Sequence, residues 1–251
     1  MHNKIDIIIP NYNNGEFLDK SIRSVIKQSF RNWRIYIVDD NSNDNSRSIL
    51  KKYKNNKKIK LYYLKKNMGP SYCRNYAISK SKSELIAFLD SDDFWAKDKL
   101  KKQIEFMKRN KLAFTFTDYI PFFNQSDRYL KATNIDKSLN YNQFIHNSSI
   151  GTSTMIVKRS IIKNIRFKNT NIMEDYIFKC EILRKKKIIS TKLDEPLVYY
   201  RLYKGSRNSN KFKNIFYLWK LNSKYNNLNI LQNFFSILMI SINSLKKYGF
   251  K

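Results

Sequence analysis

The sequence predicts an α/β fold with a mostly parallel central sheet flanked by helices and a helical tail at the C-terminus. Two observations predict it. Short apolar runs alternate with amphipathic stretches over the first 110 residues, the pattern of right-handed βαβ units. Polar clusters follow those runs at strand C-termini, the edge where ligands bind in open α/β sheets. A chain of 251 residues suits one large domain, or one domain with an appendage.

Each element follows from local pattern. Ile5 to Ile9 is a first strand, halted by Pro10 and the polar run Asn11 to Gly15. A helix then places Leu18, Ile22 and Val25 on one face. A strand at Arg34 to Val38 leads into Asp39 and Asp40, and a short helix carries Ile49, Leu50 and Tyr53. Ile59 to Leu64 is a third strand. Gly69 and Pro70 turn it into a helix through Ile78, since Pro suits a first helical turn. Leu85 begins a fourth strand, and Leu100, Ile104 and Met107 mark the helix after it. Beyond residue 110, strands are expected at Leu112 to Thr117, Thr154 to Lys158, Ile188 to Leu193 and Pro196 to Leu202, with a helix at Glu174 to Arg184.

The fourth strand ends in the stretch LIAFLDSDD, residues 85–93, with three carboxylates on four residues. Unpaired carboxylates so close raise one another's pKa. A divalent cation removes that conflict, because Mg²⁺ takes one or two carboxylates together with substrate phosphates. The same acids also suit the start of a helix. On this stretch alone both readings stand.

The formal charge is +29, from 49 Lys and Arg against 20 Asp and Glu, a balance that attracts polyanions. Heavy joint use of Lys, Asn and Ile, as AT-rich coding sequence produces, accounts for part of that excess on solvated faces. Cys73 and Cys180 each lie in an expected helix without a CxxC neighbour, which suggests reduced thiols. The N-terminal apolar run before Pro10 is too short for a signal peptide or membrane span, so a cytoplasmic location is expected. His2 and His146 offer no pair at metal-ligand spacing.

Four ordered blocks resemble those of family-2 glycosyltransferases: IIIPNYNN at 7–14, IYIVDDNSNDNS at 35–46, NMGPSYCRNYAI at 67–78 and FLDSDD at 88–93. A fifth, MEDYIF at 173–178, resembles the acceptor-side acidic block of that family. The resemblance covers roughly the first 210 residues. It implies a Rossmann-like, nucleotide-binding GT-A fold, with a nucleotide-sugar half at 1–110 and an acceptor-side half at 111–210. Residues 211–251 form a basic amphipathic tail.

The resemblance also implies roles. Pro10 and Tyr12 would receive the nucleotide base, and Asp39 would accept a hydrogen bond from the ring N–H of a uracil. Arg74 would reach the donor phosphates or the carboxylate cluster, while Asn75 fixes local backbone. Asp90 and Asp92 match the family's Asp-x-Asp pair and would hold Mn²⁺ or Mg²⁺, with Ser91 between them on the donor side. Asp93 is either a ligand, a cap or a support. Asp175, with Glu174 beside it, would be the general base of an inverting transfer, taking the proton of the acceptor hydroxyl. Two acids at a helix start are also what the helix dipole favours.

In the block YYRLYKGSRN at 199–208, Tyr203 stands where the family often carries a metal-binding His. Either water fills that place, or Lys204 and Arg207 carry diphosphate charge. The function implied is transfer of a sugar, from a UDP-sugar above other nucleotide donors, to a hydroxyl of a cell-surface glycan. Two other classes compete: a basic nucleic-acid-binding protein, and a nucleotide-sugar-forming enzyme of similar fold. The first predicts basic residues at the rim, which here is acidic, and no nucleic-acid motif is present. The second predicts a Gly-rich basic loop after the first strand, where this chain has PNYNNGEF.

In the tail, Phe212, Ile215, Phe216 and Trp219 form a helical stripe among lysines, and Phe234 to Leu245 is apolar but only 12 residues long. A spanning helix needs about 20. The tail either lies in a membrane interface, which would make the acceptor lipid-linked, or packs back onto the domain.

Overall fold

The computed structural model describes residues 4–123, 128–170, 172–202 and 211–248. Tyr203, Lys204 and Arg207 lie outside the described residues.

Strands β1 (Ile5–Asn11), β2 (Trp33–Asp39), β3 (Ile59–Tyr63) and β4 (Leu85–Phe88) pair in parallel in the order β3-β2-β1-β4. Helices α1 (Gly15–Ile26), α2 (Ser46–Lys51) and α3 (Pro70–Lys80) make the crossovers. Ile5, Ile7, Ile8 and Ile9 are fully buried on both faces of β1, as a central parallel strand requires. Leu18, Ile22 and Val25 are likewise buried on α1. The chain leaves β1 to one side for β2 and β3 and to the other for β4. The crevice at the C-terminal ends of β1 and β4 is therefore the switch point at which such sheets bind ligands.

The sheet then continues without a break into the second half of the chain. β4 pairs antiparallel with β9 (Ile156–Lys158), which pairs antiparallel with β6 (Phe114–Phe123). β6 runs parallel to β10 (Ser190–Leu202), which carries β5 (Phe94–Trp95) at the edge. The short strands β7 (Arg128–Tyr129) and β8 (Ser138–Leu139) pair with β6 and β10. Helix α4 (Lys99–Arg109) follows β5, and its Leu100, Ile104 and Met107 are buried as expected.

Two strands expected at 188–193 and 196–202 are one. Pro196 does not end the first, because the register shifts between Leu193 and Val198 and a bulge absorbs the missing donor.

Tight contacts fix the loops at the crevice. A Cβ on Gly15 would stand 1.7 Å from Asn45 Oδ1 and 2.7 Å from the Ser46 nitrogen, so only glycine fits where the β1 and β2 loops meet. Gly69 has φ +83°, a left-handed conformation that favours glycine, and it delivers Pro70 to the first turn of α3.

Helices α5 (Tyr141–Ile145) and α6 (Glu174–Lys186) pack together on the second half. Every residue from Tyr176 to Leu183 is buried, so α6 is a core helix. Two more helices, α7 (Lys211–Leu221) and α8 (Ile230–Tyr248), are joined through a π-helical turn at Asn222–Asn226 and dock against α5 and α6. Among the described residues, no helix is long and apolar enough to cross a membrane.

Candidate active site

One large cleft, about 1230 Å³ in volume, opens at the ends of β1 and β4 and runs across the second half of the chain. Pro10, Tyr12, Arg74, Asp90, Ser91, Asp92, Glu174 and Asp175 all line it, so residues from both halves of the sequence converge there. Pro10 is buried and Tyr12 is half-exposed, which leaves its ring available as a surface.

Asp39 does not line the cleft. Its carboxylate is fully buried at the end of β2 and accepts from Asn11 Nδ2 at 2.8 Å and Ser42 Oγ at 2.6 Å. The Ser42 amide at 3.2 Å and Arg47 Nε at 3.4 Å occupy its other oxygen. To receive a base N–H, Asp39 must give up one of these donors. Asp40 does reach the cleft, and its two oxygens accept from the amides of Met68 and Gly69 at 2.7 and 2.8 Å. The turn into α3 is thereby tied to β2.

Asn14 Nδ2 donates to Ser91 Oγ at 2.9 Å and joins the loop after β1 to the acidic loop after β4. In that acidic loop, Asp90 and Asp92 face the cleft and Asp93 does not. Asp93 is buried and accepts from Ser153 Oγ at 2.6 Å and from the Arg201 amide at 3.0 Å. Arg201 also donates through Nε to the Asp92 carbonyl at 2.8 Å, while its guanidinium stacks on Phe17 and Phe122. Asp93 and Arg201 thus hold the loop from behind. Burial and the neighbouring Asp90 push Asp92 up to about 6.

Asp90 and Asp92 facing one cleft are the observation that bears on a cation. Among the described residues, no group of three His, Cys, Asp or Glu side chains could hold a metal ion. Two carboxylates facing a cleft nevertheless suffice for Mn²⁺ or Mg²⁺ when substrate phosphates complete the shell. Asp90 and Asp92 fit that pattern.

Arg74 reaches the carboxylates. Its buried guanidinium donates to Asp90 Oδ1 at 2.7 Å and to Glu174 Oε1 at 2.9 Å. It is a fixed cross-link between the two acidic walls. Asn75 pairs both ways with the backbone of Phe167, at 2.9 and 3.0 Å, and fixes the segment that leads to α6.

Asp175 sits at the first turn of α6, next to Met173, which adopts a left-handed φ of +58°. A non-glycine residue in that region stores strain, and such strain clusters at functional sites. Asp175 Oδ2 accepts from Lys179 Nζ at 2.7 Å and from Thr152 Oγ1 at 2.8 Å. Burial opposes the charge, but Lys179, Arg74 and Thr152 outweigh it and hold the carboxyl well below the usual range. Lys179, itself buried, also donates to the Ile150 carbonyl at 2.6 Å.

The sequence reading did not single out Lys179, Thr152, Ser153 or Arg201. Lys179 carried a signal, four residues after Asp175 on an expected helix. Arg201 lay within a block already quoted. Thr152 and Ser153 carried none, because only the fold brings their loop to the acids.

With this geometry in view, the comparisons are specific. The profile of glycosyl transferase family 2 matches residues 6–186, and the chain belongs to that family. It is therefore a glycosyltransferase. It is 30% identical over 246 residues to the UDP-Glc:alpha-D-GlcNAc-diphosphoundecaprenol beta-1,3-glucosyltransferase WfgD of Escherichia coli, covering 98% of this chain and 95% of that one. The crystal structure of S. aureus TarS 1-349 in complex with UDP-GlcNAc superposes with a TM-score of 0.73 at 20% identity, over 97% of this chain and 73% of that chain. A mannosyltransferase from Pyrobaculum calidifontis in complex with GDP-Man and Mn²⁺ gives 0.71 at 11% identity, over 96% and 73%. At those identities the two structures speak to the GT-A fold alone.

Proposed function

We propose that the chain transfers a sugar from a UDP-sugar to a hydroxyl of a lipid-linked cell-surface glycan, with inversion at the sugar carbon. The observation that carries this reading is the Arg74 cross-link, 2.7 Å from Asp90 and 2.9 Å from Glu174. It ties the donor-side acids and the acceptor-side acids into one cleft with a set spacing. The cleft exceeds the roughly 300–1,000 Å³ of a single-ligand pocket, which suits donor and acceptor together.

Pro10 and Tyr12 would flank the base and Ser91 the donor side, with Asp39 behind them through Asn11. Asp90 and Asp92 would hold Mn²⁺ or Mg²⁺, which when bound offsets charge on the departing diphosphate. Asp175 would take the acceptor proton as the hydroxyl attacks, and Lys179 and Thr152 keep it ionised and aimed. Glu174 supports through Arg74 and is not the base. Arg207 remains a candidate for diphosphate charge.

The names of the relatives favour the donor and acceptor classes: WfgD is named for UDP-Glc and for a diphosphoundecaprenol acceptor. Such an acceptor resides in a bilayer, so the same reading has the chain working peripherally at the cytoplasmic face, on the side of its tail. The two buried free thiols suit that compartment.

Thermal-shift titration with UDP, GDP, CDP and dTDP, with and without Mn²⁺, tests donor and cation together. The largest stabilisation is expected from UDP with Mn²⁺. A preference for GDP, or indifference to the cation, would overturn that part of the proposal.

A further inference from the structure

The tail is built inside out. On α8, Ile230, Leu231, Phe234, Phe235 and Leu238 are 45% to 80% exposed, although all are large and apolar. At 100° per residue they share one arc of roughly 140°. The opposite arc carries Asn233 and Ser236, both fully buried. Ile215 and Phe216 on α7 extend the exposed surface.

The inward polar groups are not idle. Asn222 donates to Asn233 Oδ1 at 3.1 Å and to Ser236 Oγ at 3.2 Å. Ser236 Oγ donates to the Ile145 carbonyl, and Tyr176 Oη, on α6 beside Asp175, donates to Asn222 Oδ1 at 2.9 Å. This network docks the tail on the catalytic helix through hydrogen bonds, beside the buried Leu218 and Leu221, and leaves the Ile230, Leu231, Phe234, Phe235 and Leu238 face of α8 outside.

We propose that this outward face of α7 and α8 is a docking surface for an anionic bilayer, with α8 lying in the membrane plane. Contiguous exposed apolar surface on this scale marks an interaction site. Charge decides which occupant. From Lys211 to Tyr248 the chain has six lysines and no acidic residue. Lys213 and Lys220 are exposed on α7 and Lys224 on the π-helical turn that follows it, and from Tyr225 to Leu245 there is no charge at all. An uncharged apolar face rimmed by lysines matches acyl chains rimmed by anionic headgroups. A second copy is disfavoured, because an isologous contact would set lysines against lysines.

The inner side of the same helices lines the cleft, through Leu218 on α7 and Ile240 and Ser244 on α8. An acceptor could thus keep its lipid in the bilayer while its sugar enters along α8. That route, though not the docking itself, rests on the lipid-linked acceptor proposed above.

Flotation of the full chain with phosphatidylcholine vesicles, with and without phosphatidylglycerol, tests the surface. The wild type should float with the anionic vesicles. The triple variant Leu231→Ser, Phe234→Ser, Leu238→Ser should lose about tenfold in vesicle affinity while binding UDP as before. Because those side chains are exposed, its fold should be retained, as circular dichroism would verify. A second variant, Lys213→Glu, Lys220→Glu, Lys224→Glu, should lose the preference for phosphatidylglycerol. Unchanged flotation of both variants overturns the proposal. So does a wild-type dimer that the triple variant converts to monomer, which would make the face a homodimer contact. If flotation behaves as expected and no nucleotide binds, the docking surface stands and the proposed function falls.

Discussion

The two ends of the chain solve opposite problems with opposite patterns. In the first four strands the apolar residues go inside and the acids gather at the strand ends, where Asp39, Asp40, Asp90 and Asp93 are held by named donors and Asp92 faces the cleft. In the tail a network of amides and hydroxyls goes inside beside Leu218 and Leu221, while a whole apolar face of α8 is turned out. Burial of apolar area stabilises the first by about 25 cal/mol per Å². The second is held by directional hydrogen bonds, each worth about 1 kcal/mol net but costly to leave unmade. The donor half is thus specified by hydrophobicity, and the tail by polar complementarity to α6 together with a smaller apolar contact through Leu218 and Leu221. Only the second arrangement leaves apolar surface free for a partner.

The comparison can be broken at either end, and the largest effects belong to the cleft. Asp175→Asn should lower the turnover number about 10³-fold and leave UDP affinity within a factor of two or so of wild type; retained transfer would remove its role as base. Asp92→Asn should cost about 10²-fold in transfer yet raise the melting temperature of the metal-free protein at pH 7. The sign follows from its pKa, raised to about 6 in the folded chain. Charging that carboxylate costs stability above pH 6, and the cost vanishes as pH falls towards the unfolded value of about 4. The expected gain is roughly 1–2 kcal/mol after solvent screening, closing between pH 6 and 4 in denaturation curves.

Arg74→Met should destabilise by about 3–5 kcal/mol, because it leaves Asp90 and Glu174 without their shared cation; urea unfolding measures it. Asn222→Ala should cost about 1–3 kcal/mol by opening the tail's network. If it costs nothing, the polar account of the tail is wrong. The smallest effect is on pH dependence. Lys179→Met removes the ammonium 2.7 Å from Asp175, so the base should lose its charge at a higher pH. The acid limb of the rate profile should shift upward, and an unmoved limb would show that Lys179 does not set the charge of Asp175.

Much of the cleft was legible because strand ends and acids coincide in the sequence. Asp90 and Asp92 follow from that, whereas Asp175, Pro10 and Tyr12 were marked by the family's blocks, since two acids at a helix start and a Pro-x-Tyr after a strand are not distinctive by themselves. Asp39 was harder. Its position at the end of β2 is readable, but Asn11, Ser42 and Arg47 fill its carboxylate, and no local pattern announces a partner 28 residues away. Arg74 could be placed near phosphate or near carboxylates, and only the fold brought it between two of them. The tail was open for a different reason. Hydrophobic periodicity finds the stripe of Ile215 and Phe216 but does not say whether it meets the core or a partner; in the structure those two are exposed, and Leu218 and Leu221 are the ones inside.

The close approach at Gly15 has a mechanical corollary. The Gly15 amide donates to Asp44 Oδ2 at 2.8 Å, the Asn13 amide to Ser42 Oγ at 3.0 Å, and the Asn43 amide back to Asn13 Oδ1 at 2.9 Å. With no room for even a methyl group between them, the loops after β1 and β2 are fastened to one another and form one wall of the cleft, and the segment from Ser148 to Thr152 with the start of α6 lies across from the donor-side acids as a separate wall.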